Sequence, residues 1–173
     1  MYSRIVVPVD RSALAWTAVG PARWLAQKWD ADLEVYSVVH HHEEIEQATA
    51  DIERHLAAHG CHEEIIVTVV ESGARHVADL LALHLKAYPG SFVVMTSHGR
   101  GRSAALFGSV AETLLRLVAD PLMVFGPSVD GDHFGFEGRM LVCVDETETS
   151  ETAHDVAATW ALELEMDHWV KIS

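Results

Sequence analysis

At 173 residues the chain is long enough for one ordinary domain with a short remainder. Its 12 basic against 26 acidic residues leave a formal charge of −14. That excludes a sequence-blind nucleic-acid binder and a protein that docks on an anionic membrane, because both need basic surface. A chain 49% hydrophobic and 22% charged is expected to fold as a globular protein, and no apolar run approaches the ~20 residues that a spanning helix needs.

In chain order, Arg4-Ile5-Val6-Val7-Pro8-Val9-Asp10 predicts a short buried strand ended by an aspartate. Ser12 to Trp29 has helical spacing, with Leu14, Ala18, Ala22, Leu25 and Trp29 three or four apart. Ser12 is placed to cap its start, and Gly20-Pro21 predicts a kink within it. Leu33 to Val39 reads as a second strand, His40 to Glu44 as a polar loop, and Ile45 to His59 as a helix. Strand Ile65 to Val70, helix Gly73 to Tyr88, strand Phe92 to Met95, helix Ser109 to Val118 and strand Leu122 to Phe125 follow. Apolar strands alternating with helices predict a doubly wound, five-stranded parallel sheet covered on both faces.

After Phe125 the pattern changes. Residues 129–138 carry Gly131, Gly135 and Gly138 and are expected to link residues 1–128 to a second segment, 139–173. In that segment Arg139-Met140-Leu141-Val142-Cys143-Val144-Asp145 copies the opening strand. A helix from Ser150 to Leu164 and a strand from His168 to Ile172 complete a partial βαβ repeat of the first domain.

Met95 to Glu112 is the most informative stretch. It leaves the carboxyl end of the fourth strand, the edge where open parallel sheets bind ligands. Gly99 and Gly101 permit close backbone approach, while Arg100 and Arg102 are cations in an acidic chain. Gly108-Ser109 opens a helix whose free N–H groups favour an anion. Ser109 and Glu112 have capping-box spacing. The parts suit a di- or triphosphate, but no Walker lysine follows the glycines, which excludes a P-loop NTPase.

These residues resemble the universal stress protein (UspA-like) family over residues 1–128, with 139–173 resembling the opening third of a tandem second copy. The family's nucleotide signature is glycine, two residues, glycine, nine residues, glycine, then serine or threonine. Gly99, Gly108 and Ser109 match its later positions. Thr96 stands at the first glycine, and the spacer from Arg100 to Phe107 has eight residues. The resemblance implies a Rossmann-like, adenine nucleotide alpha hydrolase-like sheet binding ATP with Mg²⁺. By position, Asp10 would bond the ribose or adenine edge, with Val9 and Val38 against the base. Gly99, Arg100 and Gly101 would wrap the phosphates, and Gly108, Ser109 and Val110 would donate N–H groups. The resemblance implies a stress-response switch, at most a slow ATPase, dimerising through the fifth-strand edge at Leu122 to Phe125. A scaffold of the same fold that binds no nucleotide is the alternative.

His40-His41-His42 has ligand-type side chains, but three adjacent residues cannot all face one ion from a strand, so it reads as a solvated loop. Cys61 and Cys143 lie far apart without a CxxC, and Met1 to Asp10 lacks a signal-peptide pattern. Both features predict a reducing, cytoplasmic setting.

Overall fold

A computed structural model describes residues 2–61, 64–97, 108–126, 139–144 and 148–172. The chain divides into two compact units, residues 1–134 and 135–173. The first runs β1 (Arg4–Val9), α1 (Ala13–Trp16), α2 (Val19–Trp29), β2 (Asp32–Val39), α3 (Ile45–Ala58), β3 (Ile65–Glu71), α4 (Val77–Ala87), β4 (Ser91–Thr96), α5 (Ser109–Leu117) and β5 (Leu122–Phe125). All neighbouring strands are parallel, in the order β3-β2-β1-β4-β5. β1 therefore lies at the centre, where the chain reverses its direction of winding. That reversal opens a crevice at the carboxyl ends of β1 and β4.

The strand composition explains the layering. Ile5, Val6, Val7, Val35, Phe92 and Val94 are almost wholly buried because helices cover both faces. On one face Val6, Tyr36, Val93 and Met95 pack under Leu81 and Leu85 of α4 and Ala111 and Leu114 of α5. Each fully buried leucine there contributes about 1.5–3 kcal/mol of transfer free energy.

Three local expectations need correction. The predicted helix from Ser12 to Trp29 is two helices, broken at Thr17-Ala18 and not at Gly20-Pro21. Pro21 instead sits in the first turn of α2, where a missing N–H removes no helical hydrogen bond. Ser12 does cap α1, its hydroxyl accepting from Ala15 N at 3.2 Å. The third predicted helix starts at Val77, four residues later than Gly73, because Gly73 takes a left-handed turn at φ 53°. The capping box also fails. Gly108 is the N-cap, Ser109 is already helical, and Glu112 instead accepts from Arg116 Nη2 at 2.6 Å.

Glu34 is a polar residue that the apolar reading of β2 passed over. It is wholly buried. Arg4 Nη1 donates to its Oε2 at 3.2 Å and Thr68 Oγ1 donates to its Oε1 at 2.5 Å. His84 Nε2 lies 2.9 Å from Oε1, but the ring nitrogen has no hydrogen bond there. The Arg4 guanidinium also covers the Tyr88 ring, 4.4 Å from its centroid. The carboxylate is thus held by a paired cation and a hydroxyl, the conditions under which a buried charge is tolerated.

The second unit is β6 (Arg139–Val144), α6 (Glu148–Glu163) and β7 (Asp167–Ile172), with the two strands parallel. Its local geometry repeats that of β1-α2-β2. Arg4 pairs with Asp32, and Arg139 with Asp167. Asp30 and Glu165 both take left-handed conformations where the helices end. Ala31 N donates to Ala26 O, and Met166 N to Ala161 O. Among the described residues no helix is long and apolar enough to cross a membrane.

Candidate functional site

The carboxyl edge of the first sheet holds a cavity of about 250 Å³. β1 and the turn after it contribute Pro8, Val9 and Asp10. β2 contributes Tyr36 and Val38, and β4 with its exit contributes Met95, Thr96 and Ser97. Gly108, Ser109, Val110 and Ala111 close one side, with Val77 of α4 and Ala15 of α1. The walls are thus mainly aliphatic, and the polar groups gather at the strand ends and at the start of α5.

Backbone bonds fix that start. Ser97 N donates to Phe125 O at 2.7 Å, and Gly108 N donates to Ser97 O at 2.5 Å. The N-terminus of α5 is thereby tied to the ends of both β4 and β5. The Gly108 N–H, expected to donate to a ligand, here donates within the protein. The helical ladder begins with Glu112 N donating to Gly108 O, so the Ser109, Val110 and Ala111 amides lie in the first turn, ahead of it. The N-cap, a glycine, has no side chain to cap them.

Asp10 is oriented by its own turn. Its Oδ1 accepts from Ser12 N at 3.1 Å and from Ser12 Oγ at 2.5 Å. The intervening Arg11 takes a left-handed φ of 65°, uncommon for a residue with a side chain. Arg11 Nη2 lies 3.7 Å from Glu44 Oε2. Asp10 and Arg11 therefore sit in a shaped turn.

Six residues expected from the sequence, Val9, Asp10, Val38, Gly108, Ser109 and Val110, line this one cavity. Gly99, Arg100 and Gly101 lie outside the described residues, as does His98. Thr96 is buried and lines the cavity without filling it. The sequence reading missed Tyr36 and Met95 as lining residues. Strand alternation carried that signal, since Tyr36 shares a face with Val38. Burial and the nearby Glu34 charge push the Tyr36 phenol up to about 12, so it remains an O–H donor at neutral pH.

Elsewhere, His42 Nδ1 lies 3.8 Å from Glu71 Oε2 on an exposed 3-10 turn, His42–Glu44. Among the described residues no cluster of three or more histidine, cysteine or acidic side chains could hold a metal ion.

The family model described as "Universal stress protein family" matches residues 1–126. A search of the curated proteins gives no match. Among solved structures, the universal stress protein UspA from Lactobacillus plantarum is 18% identical, covering 72% of this chain and 97% of its own, with a TM-score of 0.53. A universal stress protein solved in complex with cAMP is 21% identical, covering 73% and 98%, with a TM-score of 0.57. A protein of unknown function from Pseudomonas aeruginosa PAO1 is 15% identical with a TM-score of 0.69. That likeness covers 98% of this chain and 60% of the other. At these identities the likenesses speak for the fold.

Proposed function

Because the chain belongs to the universal stress protein family, we propose that it binds an adenine nucleotide, ATP with Mg²⁺, in the cavity at the carboxyl edge of its first sheet. One observation carries this reading: Asp10, the aliphatic Val9 and Val38, and the first turn of α5, whose N-cap is a glycine, line the same cavity. An aliphatic slot suits a base, a carboxylate accepts from a ribose hydroxyl, and first-turn amides with the positive helix end suit a phosphate. The neighbour bound to cAMP holds a nucleotide on the same fold, which supports the reading. Oxygen donors from Asp10, Thr96, Ser97 and Ser109 fit a hard cation, which when bound would neutralise phosphate charge.

The reading assigns Asp10 to the sugar, Val9 and Val38 to the base, and Ser109 and Val110 to phosphate, with Gly99, Arg100 and Gly101 completing the phosphate side. It assigns binding and signalling before turnover. Asp10 is the one carboxylate among the described lining residues, and Ser12 engages one of its oxygens. Hydrolysis is expected to be slow at most. The bonds from Gly108 to Ser97 and from Ser97 to Phe125 join the phosphate end to β5. β5 is an edge strand, and pairing of its Leu122–Phe125 edge with a second copy would let the ligand act on the dimer. A cytoplasmic stress-response switch built on one domain and a partial second copy is the whole reading, and Cys61 and Cys143, neither of which forms a disulfide, suit such a compartment.

Calorimetric titration of the full chain with ATP and Mg²⁺ tests it. Saturable heat is expected. No heat at millimolar ATP would refute binding and favour the scaffold that takes no nucleotide.

A further inference from the structure

Tyr36 is the one polar side chain of the cavity to which the reading above gives no role. It is 2% exposed and lines the cavity. Buried polar groups are nearly always bonded, so a phenol that lines a cavity is placed to meet a ligand atom there. Its ring packs against that of His84, with the centroids 4.8 Å apart.

Depth decides what it could meet. Tyr36 precedes Val38 by two residues on the same strand face, so it lies about 6.6 Å deeper in the crevice. Beside it in register is Pro8, which has no N–H. Met95 on β4 adds an apolar neighbour at the floor of the cavity. The other polar lining groups, Asp10, Thr96, Ser97 and Ser109, stand at the strand ends and the start of α5. The deep end therefore offers one side-chain donor among apolar walls. An anionic group is disfavoured there, because the buried Glu34 carboxylate lies next along the same face of β2. The group that fits is flat, apolar on its faces, and carries a neutral in-plane acceptor.

We infer that Tyr36 determines base specificity, donating its hydroxyl to a ring nitrogen of a purine inserted to the floor of the cavity. The inference rests on the adenine-nucleotide reading and adds which end of the ligand enters deepest. The phosphates stay at α5 and the base points down the strands.

The test is calorimetry of the full chain and of Tyr36→Phe with ATP and its 1-deaza, 3-deaza and 7-deaza analogues. Each analogue replaces one ring nitrogen by carbon. The variant keeps the ring against His84, and a thermal melt checks its fold. The expected result is ATP binding about three- to tenfold weaker in Tyr36→Phe. One deaza analogue should bind the unaltered chain more weakly by a similar factor and be indifferent to the substitution. Equal ATP affinity of the two proteins overturns the inference while leaving nucleotide binding standing. A uniform loss across ATP and all three analogues also overturns it, by assigning Tyr36 to packing. Should the variant fail to fold, the deaza series on the unaltered chain decides, and indifference to all three analogues overturns the inference. No ATP binding by the unaltered chain removes both this inference and the reading beneath it.

Discussion

Gly108→Asp separates ligand binding from folding, because the substitution acts on the two in opposite directions. Gly108 is the N-cap of α5 at φ −71° and ψ 161°, an extended conformation open to any residue. A carboxylate there can accept from the Val110 or Ala111 N–H and interacts favourably with the helix N-terminus. Relative to glycine the gain is a few tenths of a kcal/mol, an increase in Tm of about 1–2 °C. The same carboxylate competes for the Val110 amide proposed for phosphate, and its negative charge repels phosphate from the neighbouring Ser109 amide as well. Losing two charge-assisted hydrogen bonds, at about 1.5–3 kcal/mol each, weakens nucleotide about 10²- to 10⁴-fold. Calorimetry with ATP and Mg²⁺ reads the affinity, and a thermal melt of the same sample reads stability. A variant that melts no lower than the parent and has lost nucleotide meets the expectation. Affinity within about tenfold of the parent refutes phosphate binding at α5, since misfolding cannot conceal that result.

Three further outcomes are expected. Ser12→Ala removes the α1 cap and the hydroxyl bond to Asp10; it should lower stability by about 1 kcal/mol in denaturant titration and weaken adenosine as well as ATP, because it loosens the sugar contact. Glu34→Ala leaves Arg4 without its buried partner and should cost about 3–5 kcal/mol in denaturant titration; a change below about 1 kcal/mol would show that the carboxylate is not carrying the pair. The Tyr36 pKa is raised to about 12 from 10.0, so the unfolded chain releases this proton first as pH rises; stability is full below pH 10, falls between 10 and 12 by no more than about 1.4 kcal/mol per unit, and should fall less steeply over that window in Tyr36→Phe.

The sheet was legible because its strands are short runs of β-branched and aromatic residues separated by helical spacing, and burial on both faces removes the ambiguity of alternation. Helix starts were less legible. The Gly20-Pro21 pair reads as a breaker wherever it stands, but in the first turn of a helix proline is harmless, so the break falls earlier, at Thr17-Ala18. Likewise Ser109 and Glu112 have the spacing of a capping box, yet the cap is the preceding glycine. Glu34 was passed over because its partners Arg4, Thr68 and His84 come from three other elements and meet only on folding. For the site, Asp10 and the start of α5 were readable from where strand and helix end. The loss of the Gly108 N–H to Ser97 depends on a contact across the sheet edge that no local pattern records.

The bond between Gly108 and Ser97 has a bearing on how this domain could be altered. It fastens together the two points between which residues 98–107 run, so the placement of α5 is set by the staple and not by how many residues pass between its ends. A change in the number of residues between them can then leave the first-turn amides where they are. The same fastening marks Ser97 and Gly108 as the ends between which sequences of other lengths and charges could be grafted to retune what is recognised, with the sheet beneath unchanged.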